Sequence, residues 1–369
     1  MTGLTALAVG VVGLIVGFAG GFAVQRARLC TFGAVEDALL GGNWRRMRAF
    51  GLALAIALLG TQALVHGAGF DPSTTTYVPD RFALAGTLVG AILFGLGMAL
   101  VGTCAFGSLV RLGTGDLRSL VTLVVFGVVA YAVLRGVLAE LRIGVVERLA
   151  IALPAQTVGS YPSIVATWLG PWPGLLMPFA TALLLVGLAA RDERLRRSPR
   201  LLTASIVLGL GVVAGWAATG PFADPFAEAI RVQSLTFVAP VARAIYALAA
   251  GEGSVLDFGV MSVFGVILGA LAAALVAREF RWEAFDDQRE MRRHLAGAAL
   301  MGFGGVLAGG CTIGQGLTAG SLMAVSWPVA IIGMVIGARI GIAILLEGSV
   351  LEWLRAIAGR SADSRSAAE

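Results

Sequence analysis

Long apolar runs separated by short polar loops dominate the chain. A helix needs about 20 apolar residues to cross the roughly 30 Å of hydrocarbon in a bilayer, and about nine runs fit that length. They cover residues 4–24, 49–66, 83–102, 119–138, 173–190, 201–218, 257–277, 295–310 and 326–346. Hydrophobic residues make up 58% of the chain and charged residues 13%, which excludes an ordinary soluble domain. The sequence predicts an all-α integral membrane protein.

Arginine is unevenly distributed among the loops, and the chain contains no lysine. Clusters occur at residues 45–48, 191–200 and 278–293, whereas residues 67–80 and 160–173 carry no basic residue. Loops rich in arginine usually face the cytoplasm. We therefore expect a multi-pass protein of the bacterial inner membrane, surrounded by lipid, with the N-terminus outside and the C-terminus in the cytoplasm. Membrane topology alone is enough to explain these arginine clusters. The alternatives are binding of lipid or of nucleic acid, and we expect no nucleic-acid partner.

Each of the three cysteines lies in a glycine-rich interruption of an apolar run. The segments are Arg28-Leu29-Cys30-Thr31-Phe32-Gly33, Gly102-Thr103-Cys104-Ala105-Phe106-Gly107 and Gly309-Gly310-Cys311-Thr312-Ile313-Gly314-Gln315-Gly316. Interrupted helices are tolerated in lipid only where the freed backbone groups are buried in protein or line a cavity. A short, less apolar stretch follows each cysteine, which predicts re-entrant half-helices. The amino end of such a half-helix favours an anion.

An internal repeat relates two of these segments. Residues 94–104 align without gaps on residues 301–311, and looser copies occur at 17–21 and 209–220. In the last copy Ala218 falls about where a cysteine would stand. The predicted topology sends the two cysteine-containing spans in opposite directions, as in the inverted repeats of transporters. We expect a first half at residues 1–190, an inverted second half at 191–356 and a polar cytoplasmic tail at 357–369.

The cysteine motifs, the repeat and the hydropathy pattern together resemble the YeeE/YedE family of integral membrane sulfur transporters, whose characterised members take up thiosulfate. The resemblance covers nearly the whole chain. It implies a pseudo-symmetric helical fold that narrows at its centre. It also implies that Cys30, Cys104 and Cys311 lie on the central path, where thiosulfate is passed between thiols through S–H···S contacts without a covalent intermediate.

Several residues beside the cysteines are candidate substrate-binding groups: Thr31, Thr103, Thr312, Gln315, Gly310 and Gly314. Gln315 stands where many relatives are expected to carry histidine, so donor capacity remains but a titratable group is lost. Thiols suit the soft sulfur that distinguishes thiosulfate from sulfate. We expect them to be protonated, because thiolates would repel a divalent anion.

Charged residues in apolar context are weaker candidates. They are Glu36, Asp37, Arg111, Asp116, Arg118, Asp224, Glu228 and Arg231. Charges inside a membrane usually serve a function, but several of these fall near a predicted membrane edge, where long side chains reach water.

Three rival functions belong to other classes. A thiol oxidoreductase would need paired cysteines, but the count is odd and there is no C-x-x-C. A purely structural subunit would account for the glycines and for buried cysteines, but not for three matched breaks. Transport of a related species, such as sulfide or a selenium oxyanion, is the main alternative. The sequence contains no metal-site, P-loop or dinucleotide motif, so ATP-driven transport within this chain is disfavoured. We expect a protein that is not an enzyme and that uses no cofactor or metal. The resemblance implies a separate cytoplasmic partner, a TusA-like sulfur carrier.

Overall fold

The architecture is helical throughout the described residues, which in this computed structural model are 2–79, 81–146, 151–152, 159–220, 231–250 and 257–347. The helices are α1 (Thr2–Ala27), α2 (Thr31–Gly41), α3 (Arg45–Gly67), α4 (Leu84–Val101), α5 (Ala105–Gly113), α6 (Leu117–Arg135), α7 (Ala139–Leu141), α8 (Tyr161–Leu169), α9 (Pro171–Ala190), α10 (Glu193–Arg196), α11 (Pro199–Thr219), α12 (Val238–Ala250), α13 (Phe258–Ala277), α14 (Gln288–Leu307) and α15 (Ser326–Glu347). A 3₁₀ turn covers Pro72–Thr74, π-helical segments cover Arg142–Val146 and Gly314–Ala319, and the two-residue strands β1 (Arg81–Phe82) and β2 (Ile151–Ala152) pair antiparallel.

Eight helical segments within the described residues are long and apolar enough to span a membrane. They match eight of the predicted runs, which confirms the all-α membrane class. The ninth predicted run lies in α14, which is equally long but begins with the polar sequence Gln-Arg-Glu-Met-Arg-Arg-His. Polar first turns lower its hydropathy, and α14 nevertheless packs between α4 and α6.

Glycines allow the central helices to approach at backbone distance. A Cβ at Gly17 or Gly21 of α1 would overlap the backbone of α13. Likewise Gly97 of α4 faces Gly297 of α14, while Gly90 of α4 faces Gly304. The numbering rises along one helix as it falls along the other, so α4 and α14 are antiparallel. Small residues at such contacts replace the hydrophobic driving force that lipid removes.

The helices of the two predicted halves pack against each other. From the first half, α1 packs on α13 and α4 packs on α15. The reciprocal contacts also occur, because α11 packs on α3 and α14 packs on α6. Each half therefore completes the other, and neither forms a separate body. The boundaries at residues 190 and 356 remain predictions, and the tail at 357–369 lies outside the described residues.

The cysteine-free copy of the repeat, at residues 209–220, differs from expectation. Residue Ala218 lies inside α11, which continues to Thr219. The next described helix is α12, and the residue immediately before it is Phe237. Phe237, rather than Ala218, thus occupies the place that a cysteine takes before α2 and α5.

The arginine-rich loops gather on one face of the molecule, here called the arginine face. Arg48 of α3 pairs with Asp192 at 2.7 Å, and Arg28 pairs with Glu279 at 3.0 Å. Burial would raise the pKa of Asp192, but hydrogen bonds from Arg48 and from backbone N–H groups outweigh it and hold that pKa below its usual value. The opposite face carries residues 68–79, the strand pair and the start of α15.

Candidate functional site

Cys30 occupies the turn between α1 and α2. Arg28 takes a left-handed conformation (φ 50°) after α1 ends, and Cys30 is extended before α2 begins. The Cys30 sulfur lies 3.6 Å from the Thr103 hydroxyl. It is half-buried and lines a cavity of about 580 Å³ that opens on the arginine face, the arginine-face vestibule.

Cys104 occupies the equivalent turn between α4 and α5, at the centre of the site. Gly102 ends α4 with a positive φ of 79°, and the backbone N–H of Gly107 donates to the Cys104 sulfur at 3.3 Å. The hydroxyls of Thr31 and Thr312 contact that sulfur and lie 3.0 Å from each other. Cys104 is thus buried between hydroxyl groups from two other cysteine motifs.

Cys311 occupies the third of these connections, in the turn after α14, and is fully buried. The backbone N–H of Gly314 donates to its sulfur at 3.4 Å. The Thr236 hydroxyl and the backbone of Phe237 also contact this sulfur. The cysteine-free copy of the repeat therefore supplies the surroundings of Cys311, a role that its sequence did not indicate.

Each cysteine stands at the start of a short helix, as the glycine breaks predicted. At Cys104 and Cys311 a backbone N–H of the first turn already points at the sulfur. Unpaired N–H groups and the positive end of the helix dipole favour negative charge at such positions. The arrangement can hold an anion without a fixed positive side chain.

A second cavity, of about 410 Å³, opens on the opposite face and is called the opposite vestibule; Tyr77, Arg142, Gly309 and Gln315 help to line it. The Gln315 amide donates to the carbonyl of Ala308 at 2.7 Å, and its oxygen accepts from Ser326 at 3.2 Å. These bonds fix the amide at the vestibule wall.

Tyr77 is a site residue that the sequence analysis missed. Its ring packs edge-on against Trp216, with centroids 6.5 Å apart, and its hydroxyl contacts Thr236. Burial raises the pKa of Tyr77, so the hydroxyl stays protonated. Tyr77 lines the opposite vestibule, and the hydroxyls of Tyr77 and Thr236 lie beside Gly314, three residues after Cys311. No local signal identified Tyr77, because it lies in a segment that looks like an ordinary polar loop.

An aromatic pair joins the surroundings of the two buried cysteines. Phe106, two residues after Cys104, and Phe237, beside Cys311, have ring centroids 4.8 Å apart. Both are buried. The signal in the sequence that could have identified Phe237 is the cysteine-free copy of the repeat, whose helix break lies before α12 and not at Ala218.

The weaker charged candidates collect at the arginine-face vestibule instead of at the buried thiols. Those that line it are Glu36, Arg111, Asp116 and Arg118. Arg118 bonds to Asp116 at 3.0 Å, to Glu290 at 3.2 Å and to Glu283. Asp37 pairs with Arg46 at 3.1 Å. Arg231 lies exposed, and Asp224 and Glu228 lie outside the described residues.

Metal ligands do not cluster in the described ranges, where no group of three or more His, Cys, Asp or Glu side chains is arranged to hold an ion. The three cysteines are free thiols. The groups at the site are thiols, hydroxyls and helix ends.

Comparison with known proteins agrees with this architecture. A family model described as sulphur transport matches residues 26–340. The chain belongs to the sulphur transport family. Among curated members, the thiosulfate transporter TsuA of Escherichia coli K12 is 30% identical over 344 residues, covering 88% of this chain and 91% of the relative. The thiosulfate transporter TsuA of Spirochaeta thermophila is 29% identical over 343 residues, covering 88% and 96%. The resemblance drawn from the cysteine motifs is thereby confirmed.

Proposed function

We propose that this protein takes up thiosulfate across the bacterial inner membrane. The observation that carries the proposal is the placement of Cys311, Cys104 and Cys30 at three half-helix starts, with Cys30 open to one vestibule and Cys311 next to the other. The names of the two curated relatives support thiosulfate as the substrate.

The anion enters at the opposite vestibule and meets Cys311, Cys104 and Cys30 in that order. Each protonated thiol donates a weak hydrogen bond to the soft terminal sulfur, and nearby donors bind the sulfonate oxygens. The donors are the hydroxyls of Thr31, Thr103 and Thr312 and the amide of Gln315. The backbone N–H groups of Gly310 and Gly314, which were candidates from the sequence, already donate to the carbonyl of Gly305 and to the Cys311 sulfur. Protons stay on the thiols and no covalent bond forms, so the protein is a transporter and not an enzyme.

The arginine face is cytoplasmic in this proposal, which places the N-terminus outside and the C-terminus inside. The positive-inside tendency supports this orientation, because three arginine-rich loops meet on that face. Thiosulfate then leaves beside Cys30 into the arginine-face vestibule.

A separate TusA-like sulfur carrier would collect the product at the loops 191–200 and 278–293. The charge reversal is made at exposed arginines of the two loops that line neither vestibule: Arg194, Arg196, Arg289 and Arg292. Replacing them by glutamate should lower uptake in cells that contain the carrier and leave uptake by the purified protein unchanged. Equal uptake in cells with and without the reversal would remove the docking proposal.

The experiment for the substrate is growth of a bacterium that lacks its other sulfate and thiosulfate importers. Expression of this protein should permit growth on thiosulfate as sole sulfur source and not on sulfate. Growth on neither, with the protein verified in the membrane and the carrier supplied, would reject thiosulfate uptake and favour another sulfur or selenium species.

A further inference from the structure

A polar cavity of about 470 Å³ opens on the arginine face, and neither the thiols nor the substrate-binding candidates line it. Four arginines surround it, contributed by the end of α1, the start of α3 and the start of α11: Arg26, Arg28, Arg45 and Arg200. Positive-inside topology requires arginines on this face, but it does not require that they converge on one cavity.

The charges around this cavity are not balanced by protein. Its one acidic residue, Glu279, pairs with Arg28. Arg26, Arg45 and Arg200 form no ion pair with any carboxylate in the described part of the chain. Arg200 is exposed, but Arg26 and Arg45 are partly withdrawn from water, where an unpaired charge is costly. An anion at this place would therefore stabilise the fold.

Arg45 differs from its neighbours in a way that points to a ligand. Arg46 pairs with Asp37 and Arg48 pairs with Asp192. The Nε atom of Arg45, by contrast, is buried and has no hydrogen-bond partner among the described residues. Buried guanidinium N–H groups are normally satisfied in proteins. The Nε atom of Arg243 is also without a partner, but that guanidinium pairs with Asp257, whereas Arg45 pairs with no described carboxylate.

The start of α11 adds backbone donors to the same cavity. Ser198 precedes the 21-residue helix but does not cap it, because its hydroxyl donates to the carbonyl of Arg194 at 2.8 Å. The N–H groups of Arg200 and Leu201 belong to the first turn, where helices leave donors unpaired. The dipole of a long helix favours an anion at this end.

We propose that this cavity binds a phosphate-type oxyanion, supplied by an anionic phospholipid headgroup or by a free anion. Guanidinium groups match the geometry of phosphate oxygens, and basic pockets between transmembrane helices at the cytoplasmic side bind such headgroups. The bound anion would tie the end of α1 to the starts of α3 and α11. Because Arg28 also lines the arginine-face vestibule, this anchor holds the turn that carries Cys30.

The test compares two double variants of the full-length protein. Arg45→Gln with Arg200→Gln removes two charges from the cavity, whereas Arg194→Gln with Arg197→Gln removes two from the same face outside it. Thermal unfolding in detergent is followed while phosphatidylglycerol, phosphatidylcholine or inorganic phosphate is added. We expect phosphatidylglycerol to raise the melting temperature of wild type and control, and the cavity variant to need about tenfold more of it.

The added ligand separates the two sources. Protection by phosphatidylglycerol alone identifies a lipid headgroup as the ligand. Protection by inorganic phosphate as well identifies a free oxyanion. In each case the protection must be lost in the cavity variant. Equal protection of both double variants, or protection of neither them nor wild type, would overturn the proposal. If the cavity variant does not fold, Arg200→Gln alone gives the same comparison at an exposed position. The assay contains no thiosulfate, so its outcome is independent of the transport proposal.

Discussion

The two ends of the proposed path differ in how they meet the solvent. At the opposite vestibule Cys311 is fully buried beside Tyr77 and Thr236. At the arginine-face vestibule Cys30 is half-buried and lines a wider cavity, of about 580 Å³ against about 410 Å³. The protein thus adopts a conformation that is open toward Cys30 and closed beyond Cys311.

The groups near the two outer cysteines also differ in charge. Arg142 lines the approach to Cys311 together with neutral donors, whereas ion pairs centred on Arg118 line the vestibule at Cys30. Neutral donors can replace water around an anion without trapping it by charge. In the arginine-face vestibule Arg28, Arg46 and Arg118 are already paired with carboxylates, which weakens their attraction for the same anion, and Arg111 donates to the carbonyl of Gly102.

Thiol accessibility is the largest difference that this comparison predicts. A buried thiol reacts only in transiently open states, so we expect Cys30 to be alkylated about 100-fold faster than Cys311. The measurement uses a membrane-impermeant maleimide on variants in which the other two cysteines are replaced by serine. Cys30 is labelled in inside-out vesicles and Cys311 in right-side-out vesicles, so that each thiol is approached from its own vestibule. Right-side-out vesicles are also the control for Cys30, which should stay unlabelled in them. Similar rates for Cys30 and Cys311 would refute the asymmetry.

Gly314 provides a sharper test of the closed end. A Cβ there would lie 2.5 Å from the Thr236 hydroxyl and 3.0 Å from the Tyr77 hydroxyl. Overpacking of this kind costs about 1–3 kcal/mol, so Gly314→Ala should lower thiosulfate uptake by about tenfold.

Gly316, two residues along the same short helix, is the matched control for Gly314. Its Cβ would lie 3.5 Å from a methyl group of Ile331, an ordinary contact. Gly316→Ala should leave uptake near the wild-type rate. If the two alanine variants transport equally, the contact of Gly314 with Thr236 and Tyr77 has no role in the path.

Tyr77→Phe removes the hydroxyl while keeping the ring against Trp216. A neutral hydrogen bond is worth about 0.5–1.5 kcal/mol, so uptake should fall by about three- to tenfold. The melting temperature should stay nearly unchanged. Initial rates at several thiosulfate concentrations separate weaker binding from slower transport. Wild-type kinetics at all concentrations would show that Tyr77 only packs.

Gln315→His should have the smallest effect. A neutral imidazole can donate to the Ala308 carbonyl and accept from Ser326, so uptake should stay within about twofold of wild type. Gln315→Leu can make neither bond and should lower uptake clearly. Uptake that falls equally in both variants would mean that the amide itself is required.

Hydropathy was enough to place the spanning helices, since burial in lipid leaves a signal about 20 residues long. The helix α12 gave no such signal because it has only 13 residues. Because α12 was not predicted, the sequence analysis placed the helix break of the cysteine-free copy at Ala218 instead of before α12. The packing of helices between the halves was equally hidden, because the sequence shows which helices are apolar and not which partners they choose.

The cysteines were predictable as candidates, since each was marked by glycines in an apolar run. Tyr77, Thr236 and Phe237 were not, because their positions depend on contacts between distant segments. The sequence indicated the residues that break helices, while the groups that close around Cys311 come from a loop and from a repeat without a cysteine.

The most direct test of the relay is uptake of radiolabelled thiosulfate into proteoliposomes by wild type and Cys104→Ser. Serine keeps a donor of similar size at the buried centre and removes only the soft sulfur. Because the serine hydroxyl cannot supply the contact between two soft sulfur atoms on which the relay depends, the account predicts a fall of about tenfold, equivalent to about 1.4 kcal/mol, with an unchanged melting temperature. Transport by Cys104→Ser at the wild-type rate would contradict the relay.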